Sequence, residues 1–368
     1  MGFGQCPVEE MGLDPAFWDG RKVFLTGHSG FKGAWAALWL RELGARVTGY
    51  ALDAPSAPNL FELARLADIV TSVRADVRDG AALRRAIAVA QPEIVFHMAA
   101  QSLVRESYRD PIETFEVNAL GTAYLLEAVR GCPAVRAVVI ITSDKCYENR
   151  EIPAAYRETE PLGGHDPYSS SKACAELISA AYRSSFFRAS GAPLIATARA
   201  GNVIGGGDWA DDRLIPDIIR AVLEGRKVEI RSPDAVRPWQ HVLDPLAGYF
   251  LLAQHLWARQ PMSDAAWNFG PDEGGMKPVS WLVERVLSKW GGGKGWTHER
   301  KDQLHEARFL LLDSSKARKQ LAWRPNLDLP KALDWTVDWY RSYRDGADPR
   351  QTSIDQIRRY SSLASATA

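Results

Sequence analysis

The sequence lacks an excess of either charge. Lys and Arg together number 45, and Asp and Glu together also number 45, so the formal net charge is zero. A nucleic-acid-binding domain, or a protein attracted to anionic membranes, would be expected to carry a basic surplus. The sequence therefore predicts neither kind of partner, although a local basic cluster could still hold a small anionic ligand.

Long apolar runs and secretion signals are missing as well. No apolar run approaches the roughly 18 residues that indicate a membrane span, and the opening MGFGQCPVEEMG lacks the pattern of a signal peptide. The cysteines show no CxxC spacing and the histidines show no metal-ligand spacing; the four cysteines are Cys6, Cys132, Cys146 and Cys174. We expect reduced thiols in a cytoplasmic protein that binds no metal.

Short β-branched segments alternate with helical segments from Arg21 onward. Strands are predicted at 22–27, 46–53, 69–77, 93–100, 137–144 and 194–203. Helices are predicted between them at 33–44, 80–91, 113–131 and 171–190. Strands that are apolar throughout and separated by helices are typical of a parallel sheet covered on both faces. The predicted fold class is therefore α/β, with a Rossmann-like doubly wound parallel sheet.

The pattern changes after Gly201. The stretch GNVIGGGDWADDRLIP is rich in Gly and Asp, and tryptophan becomes frequent beyond it. We expect a smaller, discontinuous C-terminal lobe that binds substrate across a crevice. The predicted division is an N-terminal arm at 1–19, a nucleotide-binding domain at 20–203 with a returning segment near 236–262, the second lobe at 204–235 and 263–345, and a tail at 346–368.

A glycine-rich turn follows the first predicted strand. Gly27, Gly30 and Gly33 in TGHSGFKG have the spacing GxxGxxG and open a helix, and Asp53 lies twenty residues beyond Gly33. The glycines would let the backbone approach a pyrophosphate at the helix N-terminus. Asp53 could accept hydrogen bonds from the adenosine ribose and would repel a 2′-phosphate, which favours NAD over NADP. The alternative is a glycine-rich turn and an Asp that merely ends a strand.

Two further strand ends could extend this nucleotide site. Asp76 and Val77 close the third predicted strand, where Asp76 could hold the adenine edge. Ala99 and Ala100 close the fourth, where small side chains would leave room for a cofactor. Ordinary turn chemistry explains each motif alone, but their placement at successive strand ends favours the nucleotide site.

A tyrosine and a lysine lie four residues apart in DPYSSSKACAE. This spacing places Tyr168 and Lys172 one helical turn apart on one face. An ammonium group and a positively charged nicotinamide would stabilise the phenolate, whose ordinary pKa is about 10, so that the tyrosine could take a proton from an alcohol. A helix surface pair is the alternative, and the dinucleotide motif upstream favours chemistry.

Three polar residues follow the apolar segment AVVIIT directly. Ser143, Asp144 and Lys145 are either solvated residues after a strand or an acid and a base that the strand delivers into a pocket. Their immediate neighbours do not decide between these interpretations.

Together these motifs resemble the extended short-chain dehydrogenase/reductases that act on nucleotide sugars. The resemblance covers roughly residues 18–343 and rests on TGHSGFKG with its Phe31 and Lys32, on Asp53, HMAA, Asn118 and TSDKCY, and on Tyr168 and Lys172. Within that family, AAQSLVRESYRDP, RAGNVIGGGDW and RPWQHVLDPLAGY are most similar to the CDP-glucose 4,6-dehydratases. The resemblance implies an NAD-dependent lyase that converts CDP-D-glucose to CDP-4-keto-6-deoxy-D-glucose in deoxysugar biosynthesis. Hydride would leave C4, water would leave across C5 and C6, and hydride would return to C6.

The same resemblance implies a role for each polar residue. Tyr168, assisted by Lys172, would be the base at O4, and Ser143 would hydrogen-bond O4. Asp144 would protonate the departing C6 hydroxyl, which requires a protonated carboxyl group. Lys145 stands where many relatives carry a glutamate that removes the C5 proton, and a lysine can do so only when neutral. We favour Lys145 as that base; the alternative is a charged Lys145 that stabilises the enolate.

The resemblance also implies substrate contacts and a partner. The predicted substrate-binding residues are Ser102, Asn118, Asn202, Arg237 and Arg308. Asn202 and the two arginines would contact the diphosphate, and the base would be recognised by the second lobe. Helices near 118–129 and 172–184 would pair across a homodimer, although a two-sided core helix explains their apolar faces equally well.

Two other functions fit parts of the pattern. A nucleotide-sugar 4-epimerase needs Tyr168 and Lys172 but not the acid–base pair Asp144–Lys145, and a dehydratase could act on another nucleotide. A non-catalytic NAD-sensing scaffold has no need of Tyr168, Lys172, Ser143 and Asp144 together. Their joint presence favours elimination from a nucleotide sugar.

Overall fold

The computed structural model describes residues 13–152, 154–298 and 309–366. The strands in these ranges are β1 (Lys22–Thr26), β2 (Arg46–Ala51), β3 (Thr71–Arg74), β4 (Ile94–His97), β5 (Ala137–Ile141), β6 (Ala155–Tyr156), β7 (Leu194–Ala200), β8 (Asn202–Ile204), β9 (Val228–Ile230), β10 (Val236–His241), β11 (Ala266–Phe269), β12 (Met276–Pro278), β13 (Trp296–His298) and β14 (Leu311–Leu312).

The helices of the described ranges surround these strands. They are α1 (Pro15–Trp18), α2 (Phe31–Glu42), α3 (Leu60–Leu63), α4 (Gly80–Ala90), α5 (Val104–Arg109), α6 (Pro111–Phe115), α7 (Gly121–Arg130), α8 (Pro167–Phe186), α9 (Leu214–Leu223), α10 (Leu243–Trp257), α11 (Val279–Trp290), α12 (Ser315–Gln320), α13 (Leu329–Arg344) and α14 (Pro349–Ala366). A π-helical turn at Glu116–Leu120 joins α6 to α7, and a 3-10 turn at Asp144–Cys146 follows β5. None of the described helices is both long enough and apolar enough to span a bilayer.

Seven strands form the central sheet, in the order β11-β7-β5-β4-β1-β2-β3. Every neighbouring pair is parallel, so the predicted α/β doubly wound fold is confirmed. The strand order reverses between β1 and β4, and a crevice opens at such a point beyond the carboxyl ends of the strands. One part of the predicted division needs correction: β11 was assigned to the second lobe, yet it forms an edge of this sheet.

Both faces of the sheet are covered, which explains the apolar strand sequences. All five residues of β5 are buried. One face packs in a large cluster with α2 and α10, in which Trp18, Trp35 and Trp39 are fully buried. The other face packs against α4 and α7 in a second cluster that includes Leu83 and Leu125. A parallel sheet needs this double cover because neither of its faces carries polar side chains that suit water.

The smaller sheets lie in the later part of the chain, apart from the short strand β6. They have the orders β12-β10-β8, β13-β9 and β14-β6. The parallel pairing of β8 with β10 brings Asn202 beside Trp239. Since β8 begins two residues after β7 ends, this pairing holds the returning segment close to the crevice.

The predicted C-terminal tail is instead a helix, α14, packed on the nucleotide-binding part of the chain. Ile357 and Tyr360 are buried, and the Tyr360 ring packs edge-on against Trp39 at a centroid distance of 5.5 Å. The Tyr360 hydroxyl donates to Asp244 Oδ1 at 2.9 Å, and the Asn326 backbone N–H donates to the same oxygen at 2.7 Å. A fully buried carboxyl group on α10 therefore anchors α14.

Burial of Asp244 makes the stability of the fold depend on pH. Burial raises the pKa of Asp244 from 3.8 to about 7, although the two hydrogen bonds oppose the shift. An unfolded chain loses this proton near pH 4 and the folded chain keeps it, so the free energy of unfolding should decrease as pH rises from about 4 to 7. Linkage gives about 1.4 kcal/mol for each pH unit between the two pKa values.

We expect Asp244→Asn, which keeps Oδ1 as an acceptor and cannot ionise, to flatten this dependence. The variant should be more stable than the parent chain at pH 8 by a few kcal/mol, and this advantage should shrink toward pH 4. Urea unfolding of both proteins at several pH values measures the difference. Parallel pH profiles for the two proteins would show that Asp244 does not carry the effect. Tyr360→Phe serves as the control that weakens the anchor without removing the titrating group.

Candidate active site

The glycine-rich turn forms a close-fitting cradle at the carboxyl end of β1. Gly27 has a φ of +74°, and a Cβ atom there would lie 2.7 Å from the backbone nitrogen of Ala99. A Cβ on Gly33 would lie 2.0 Å from the Gly27 carbonyl oxygen. Helix α2 begins after Gly30, which provides no side-chain cap. The backbone N–H groups of its first turn therefore point to an anion rather than to a capping side chain, and the cradle fits a pyrophosphate.

Acidic side chains follow β2 and β3, as the motif requires. Asp53 is exposed and forms an ion pair with Arg74 from β3. The Asp76 carboxylate accepts from Arg78 Nε at 2.9 Å and from Arg78 Nη2 at 2.6 Å. Burial works against ionisation of Asp76, but the hydrogen bonds from Arg78 lower its pKa overall. Both predicted nucleotide contacts thus already have an arginine partner, which the sequence did not indicate.

Four of the other predicted cofactor residues lie in α2 or in the loop after β4, next to the cradle, whereas Val77 does not. Phe31 and Lys32 form the first turn of α2, and the side chain of Val77 is buried in the cluster beneath the sheet. Ala99 and Ala100 lie in the loop after β4, where Thr26 Oγ1 accepts from the backbone N–H of Ala99 at 3.1 Å. This contact fixes the β4 loop against Gly27.

The three polar residues after β5 are enclosed rather than solvated. Asp144 is 1% exposed, and its Oδ1 accepts from Ser143 Oγ at 3.0 Å. Its Oδ2 is buried without a partner among the described residues and lies close to Gly201, where a Cβ would be 3.0 Å away. The Lys145 ammonium lies 4.0 Å from Asp144 Oδ1, with 28% of its side chain exposed. The strand end therefore holds an acid and an amine side by side.

Helix α8 brings Tyr168 and Lys172 to the same place. Both side chains are buried, and Lys172 Nζ donates to the Ile141 carbonyl oxygen at 3.3 Å. Burial raises the pKa of Tyr168 to about 12, a hydrogen bond with Ser143 opposes the shift, and the Asp144 charge adds to it. Burial likewise lowers the pKa of Lys172 to about 8.

These shifts differ from the expectation that Lys172 lowers the pKa of Tyr168. In the protein alone, burial dominates and keeps the phenol protonated at neutral pH. Activation of Tyr168 as a base therefore needs a further positive charge, of the kind that an oxidised nicotinamide would bring.

Two residues that were not predicted as site residues complete the cluster. Arg213 donates to Ser102 Oγ at 2.8 Å and pairs with Asp208 at 2.9 Å, and its charge acts on the nearby Tyr168. Tyr249 is fully buried on α10, and its hydroxyl accepts from Lys32 Nζ at 3.4 Å. Burial, together with the charges of Lys172 and Arg213, lowers the pKa of Lys32 to about 7. Tyr249 ends the motif RPWQHVLDPLAGY and Arg213 lies in the Gly- and Asp-rich stretch after Gly201, but neither was predicted as a site residue, because each lies far along the chain from the predicted site residue that it contacts.

The predicted substrate-binding residues differ in their surroundings. Asn118 is buried, and its amide contacts Gln101 N and O and Ser171 Oγ at 3.0, 2.9 and 2.8 Å. It therefore holds the β4 loop to α8, and a sugar contact would have to replace one of these bonds. Arg237 is buried on β10 and donates to the Val236 carbonyl oxygen at 3.0 Å. Arg308 lies outside the described residues.

Comparisons with known proteins agree with this geometry. Residues 23–265 match the model of the NAD dependent epimerase/dehydratase family. CDP-glucose 4,6-dehydratase of Salmonella typhimurium is 50% identical over 95% of this chain and 99% of that relative. dTDP-glucose 4,6-dehydratase of Mycolicibacterium smegmatis is 30% identical over 91% and 97%.

Solved structures show the same fold at lower identity. A dTDP-glucose 4,6-dehydratase from Bacillus anthracis in complex with NAD has a TM-score of 0.74 and 22% identity, and covers 90% of this chain and 100% of that one. UDP-glucose 4-epimerase from Thermotoga maritima has a TM-score of 0.76 and 23% identity, with coverage of 88% and 99%. The family match confirms NAD as the cofactor, and the matches together confirm the predicted resemblance: the chain belongs to the NAD dependent epimerase/dehydratase family.

Proposed function

We propose that the chain catalyses the NAD-dependent loss of water from CDP-D-glucose to give CDP-4-keto-6-deoxy-D-glucose. The observation that carries the proposal is the buried acid Asp144 with the partly exposed amine of Lys145 4.0 Å away, beside Tyr168 and Lys172 at one end of the sheet. Oxidation at C4 alone needs only Tyr168 and Lys172, whereas elimination of water needs an additional acid and base. The 50% identity to CDP-glucose 4,6-dehydratase of Salmonella typhimurium supports the choice of nucleotide.

The residues of α8 serve the oxidation at C4. When bound, NAD supplies the acceptor for the C4 hydride and returns that hydride to C6. Tyr168 takes the proton of the C4 hydroxyl, Ser143 holds O4, and the Lys172 ammonium stabilises the resulting phenolate. Because the cofactor ends as it began, the reaction needs no second substrate.

The residues after β5 serve the elimination. A ketone at C4 acidifies the C5–H bond, and Lys145 in its neutral form takes that proton. Asp144 in its protonated form gives a proton to the C6 hydroxyl, which leaves as water while the C5–C6 double bond forms. A hydride then adds to C6 and a proton to C5, so that the product differs from the substrate by the loss of one water. Lys145 as a charged stabiliser of the enolate is the alternative role.

The sugar nucleotide is held by the later part of the chain. We assign the diphosphate to Asn202, Arg237 and Arg308, and the base to the lobe formed by 204–235 and 263–345. Guanidinium groups suit this task because they bind phosphate oxygens through two parallel hydrogen bonds. Ser102, which Arg213 contacts, would lie at the sugar end. A cytoplasmic location stays a prediction.

The proposed function is tested by incubating the purified protein with NAD⁺ and, separately, with CDP-, dTDP-, UDP- and GDP-glucose. We expect mass spectrometry to show the loss of one water from CDP-glucose. Loss of water from only one of the other nucleotide sugars would support the proposed mechanism and exclude CDP-glucose as the substrate. An epimerase would give a product of unchanged mass with a changed sugar stereochemistry, and absence of any reaction in protein that binds NAD would overturn catalysis itself.

We expect Lys145→Met to block removal of the C5 proton because it deletes the amine and keeps the length of the side chain. NAD binding should be unchanged, since Lys145 lies outside the glycine-rich cradle, and kcat should fall by a factor of about 10² or more. Exchange of the C5 hydrogen with deuterated water, followed by NMR, measures the step directly. Exchange at the rate of the parent protein would exclude Lys145 as the base, and Lys145→Arg distinguishes charge stabilisation from proton removal.

We also propose that the chain forms a homodimer through α7 and α8. Large apolar side chains are exposed along this surface; they include Leu120, Tyr124, Leu177 and Phe186. Leu177 is 58% exposed, and an exposed apolar patch on a compact protein indicates a protein interface. Light scattering should give the mass of two chains for the parent protein and of one chain for Leu177→Glu. Val89→Glu is the control, since Val89 is 86% exposed on α4 and lies on neither α7 nor α8; an unchanged dimer in Leu177→Glu would exclude the interface.

A further inference from the structure

A buried ion pair lies behind the acid–base residues. Glu176 on α8 and Arg199 on β7 are each 3% exposed. Two parallel hydrogen bonds join them, from Arg199 Nε to Glu176 Oε1 at 2.9 Å and from Arg199 Nη2 to Glu176 Oε2 at 2.7 Å. Burial opposes ionisation of Glu176, but Arg199 and two threonine hydroxyls lower its pKa overall. Burying two charges costs free energy that apolar residues of similar volume would not cost, so stability alone does not account for the pair.

The ion pair holds both ends of the catalytic segment. Thr142 immediately precedes Ser143, and its hydroxyl donates to Glu176 Oε1 at 2.5 Å. Tyr147 immediately follows Cys146, and its hydroxyl accepts from Arg199 Nη1 at 2.8 Å. The segment between these two contacts is residues 143–146, which contains Ser143, assigned to O4, and the two residues assigned to the elimination.

The partners of the ion pair are themselves held in place. Glu176 Oε2 also accepts from Thr197 Oγ1 on β7 at 2.7 Å. The Tyr147 hydroxyl donates to Asn268 Oδ1 on the edge strand β11 at 2.7 Å. The Arg199 guanidinium lies 4.8 Å from the centre of the Tyr147 ring. Contacts from two strands and one helix thus meet at the ion pair.

We propose that the Glu176–Arg199 ion pair is a positioning unit for the elimination, which fixes residues 143–146 through Thr142 at one end and Tyr147 at the other. Neither charged group touches the substrate in this assignment. Proton transfers between C5, C6 and the enzyme need the reacting atoms within a few tenths of an ångström of their working positions. The segment is a single 3-10 turn, and its Cys146 carbonyl oxygen accepts from the Gly163 backbone N–H at 2.9 Å. The two-point attachment to one rigid, buried group adds the remaining precision.

The position of Glu176 adds an electrostatic reason for the pairing. Glu176 lies one helical turn beyond Lys172 on α8, and its charge opposes the fall in the Lys172 pKa that burial causes. Arg199 neutralises most of this negative charge. The pair can therefore hold the segment with little change in net charge beside the reacting groups.

This inference rests on the proposed dehydration, so the parent protein is first shown to release water from the sugar nucleotide. The main variant is Tyr147→Phe, which removes one hydroxyl and keeps the ring. Its matched control is Tyr156→Phe: the Tyr156 ring stacks on Tyr147 at 5.1 Å, but its hydroxyl contacts residues 149 and 150 instead of the ion pair. We expect kcat to fall about tenfold in Tyr147→Phe, with the KM of the substrate within about twofold, and to change little in Tyr156→Phe.

Thr142→Val tests the other attachment point. Valine has a similar shape and cannot donate to Glu176. Its control for lost stability is Thr336→Val, which removes a buried hydroxyl that donates within α13, to the Ala332 carbonyl oxygen. The double variant Thr142→Val/Tyr147→Phe should lose much more than the product of the two single effects, because the segment then has no attachment to the pair. Thermal unfolding of each variant shows the fraction that is folded at the assay temperature.

The kinetic isotope effect of substrate deuterated at C5 separates positioning from general damage. A smaller folded fraction lowers kcat and leaves the isotope effect unchanged, whereas a misplaced acid–base segment slows proton removal itself. We expect the isotope effect on kcat in Tyr147→Phe to exceed that of the parent protein. Equal losses of kcat in Tyr147→Phe and Tyr156→Phe, or an isotope effect no larger than in the parent, would overturn the proposal, whereas a parent protein that releases no water would overturn the proposed function instead.

Discussion

A parallel sheet brings the carboxyl ends of all its strands to one edge, and the whole candidate site depends on this constraint. The cradle follows β1, the acidic nucleotide contacts follow β2 and β3, the small residues follow β4, and the acid–base segment follows β5. These groups are separated by more than a hundred residues in the sequence. The sheet makes them neighbours without a dedicated contact between each pair. Its order also places the reversal between β1 and β4, so the crevice opens where the cofactor cradle and the catalytic loops meet.

Burial then sets the electrostatic character of the site. It raises the pKa of Tyr168 and lowers the pKa values of Lys32 and Lys172, so each group is biased toward its neutral form in the protein alone. In a neutral site of low dielectric constant, a charged ligand interacts more strongly with the groups around it. The positive charge of an oxidised nicotinamide and the negative charge of a diphosphate would therefore act on these groups more strongly than in water. The role proposed for Tyr168 as a base is therefore conditional on ligand binding.

Local patterns predicted the fold and the site residues where a motif is continuous in the sequence. The glycine spacing, the six predicted strands and the Tyr168–Lys172 helix are of this kind. The edge strand β11 was not predicted, because its four residues, AWNF, are too few to show an alternation of apolar and polar side chains. Helix α14 was not predicted, because its Ser- and Ala-rich sequence has few apolar positions. The pairing of Asp53 with Arg74 and the position of Arg213 depend on which segments the sheet brings together. Periodicity carries no information about such pairings.

The scaffold and the chemistry are separable in this fold. Epimerases and dehydratases with only 22–23% identity to the chain share its architecture, so architecture alone does not decide the reaction. In the proposed mechanism, the residues after β5 distinguish an elimination from an epimerisation. A short segment can accept different side chains only if its backbone is held independently of them. The Glu176–Arg199 pair provides such a hold, because it binds Thr142 and Tyr147 on either side and contacts none of the three reacting side chains. Burying the two charges costs free energy, but the pair fixes a backbone that can carry different acid and base side chains.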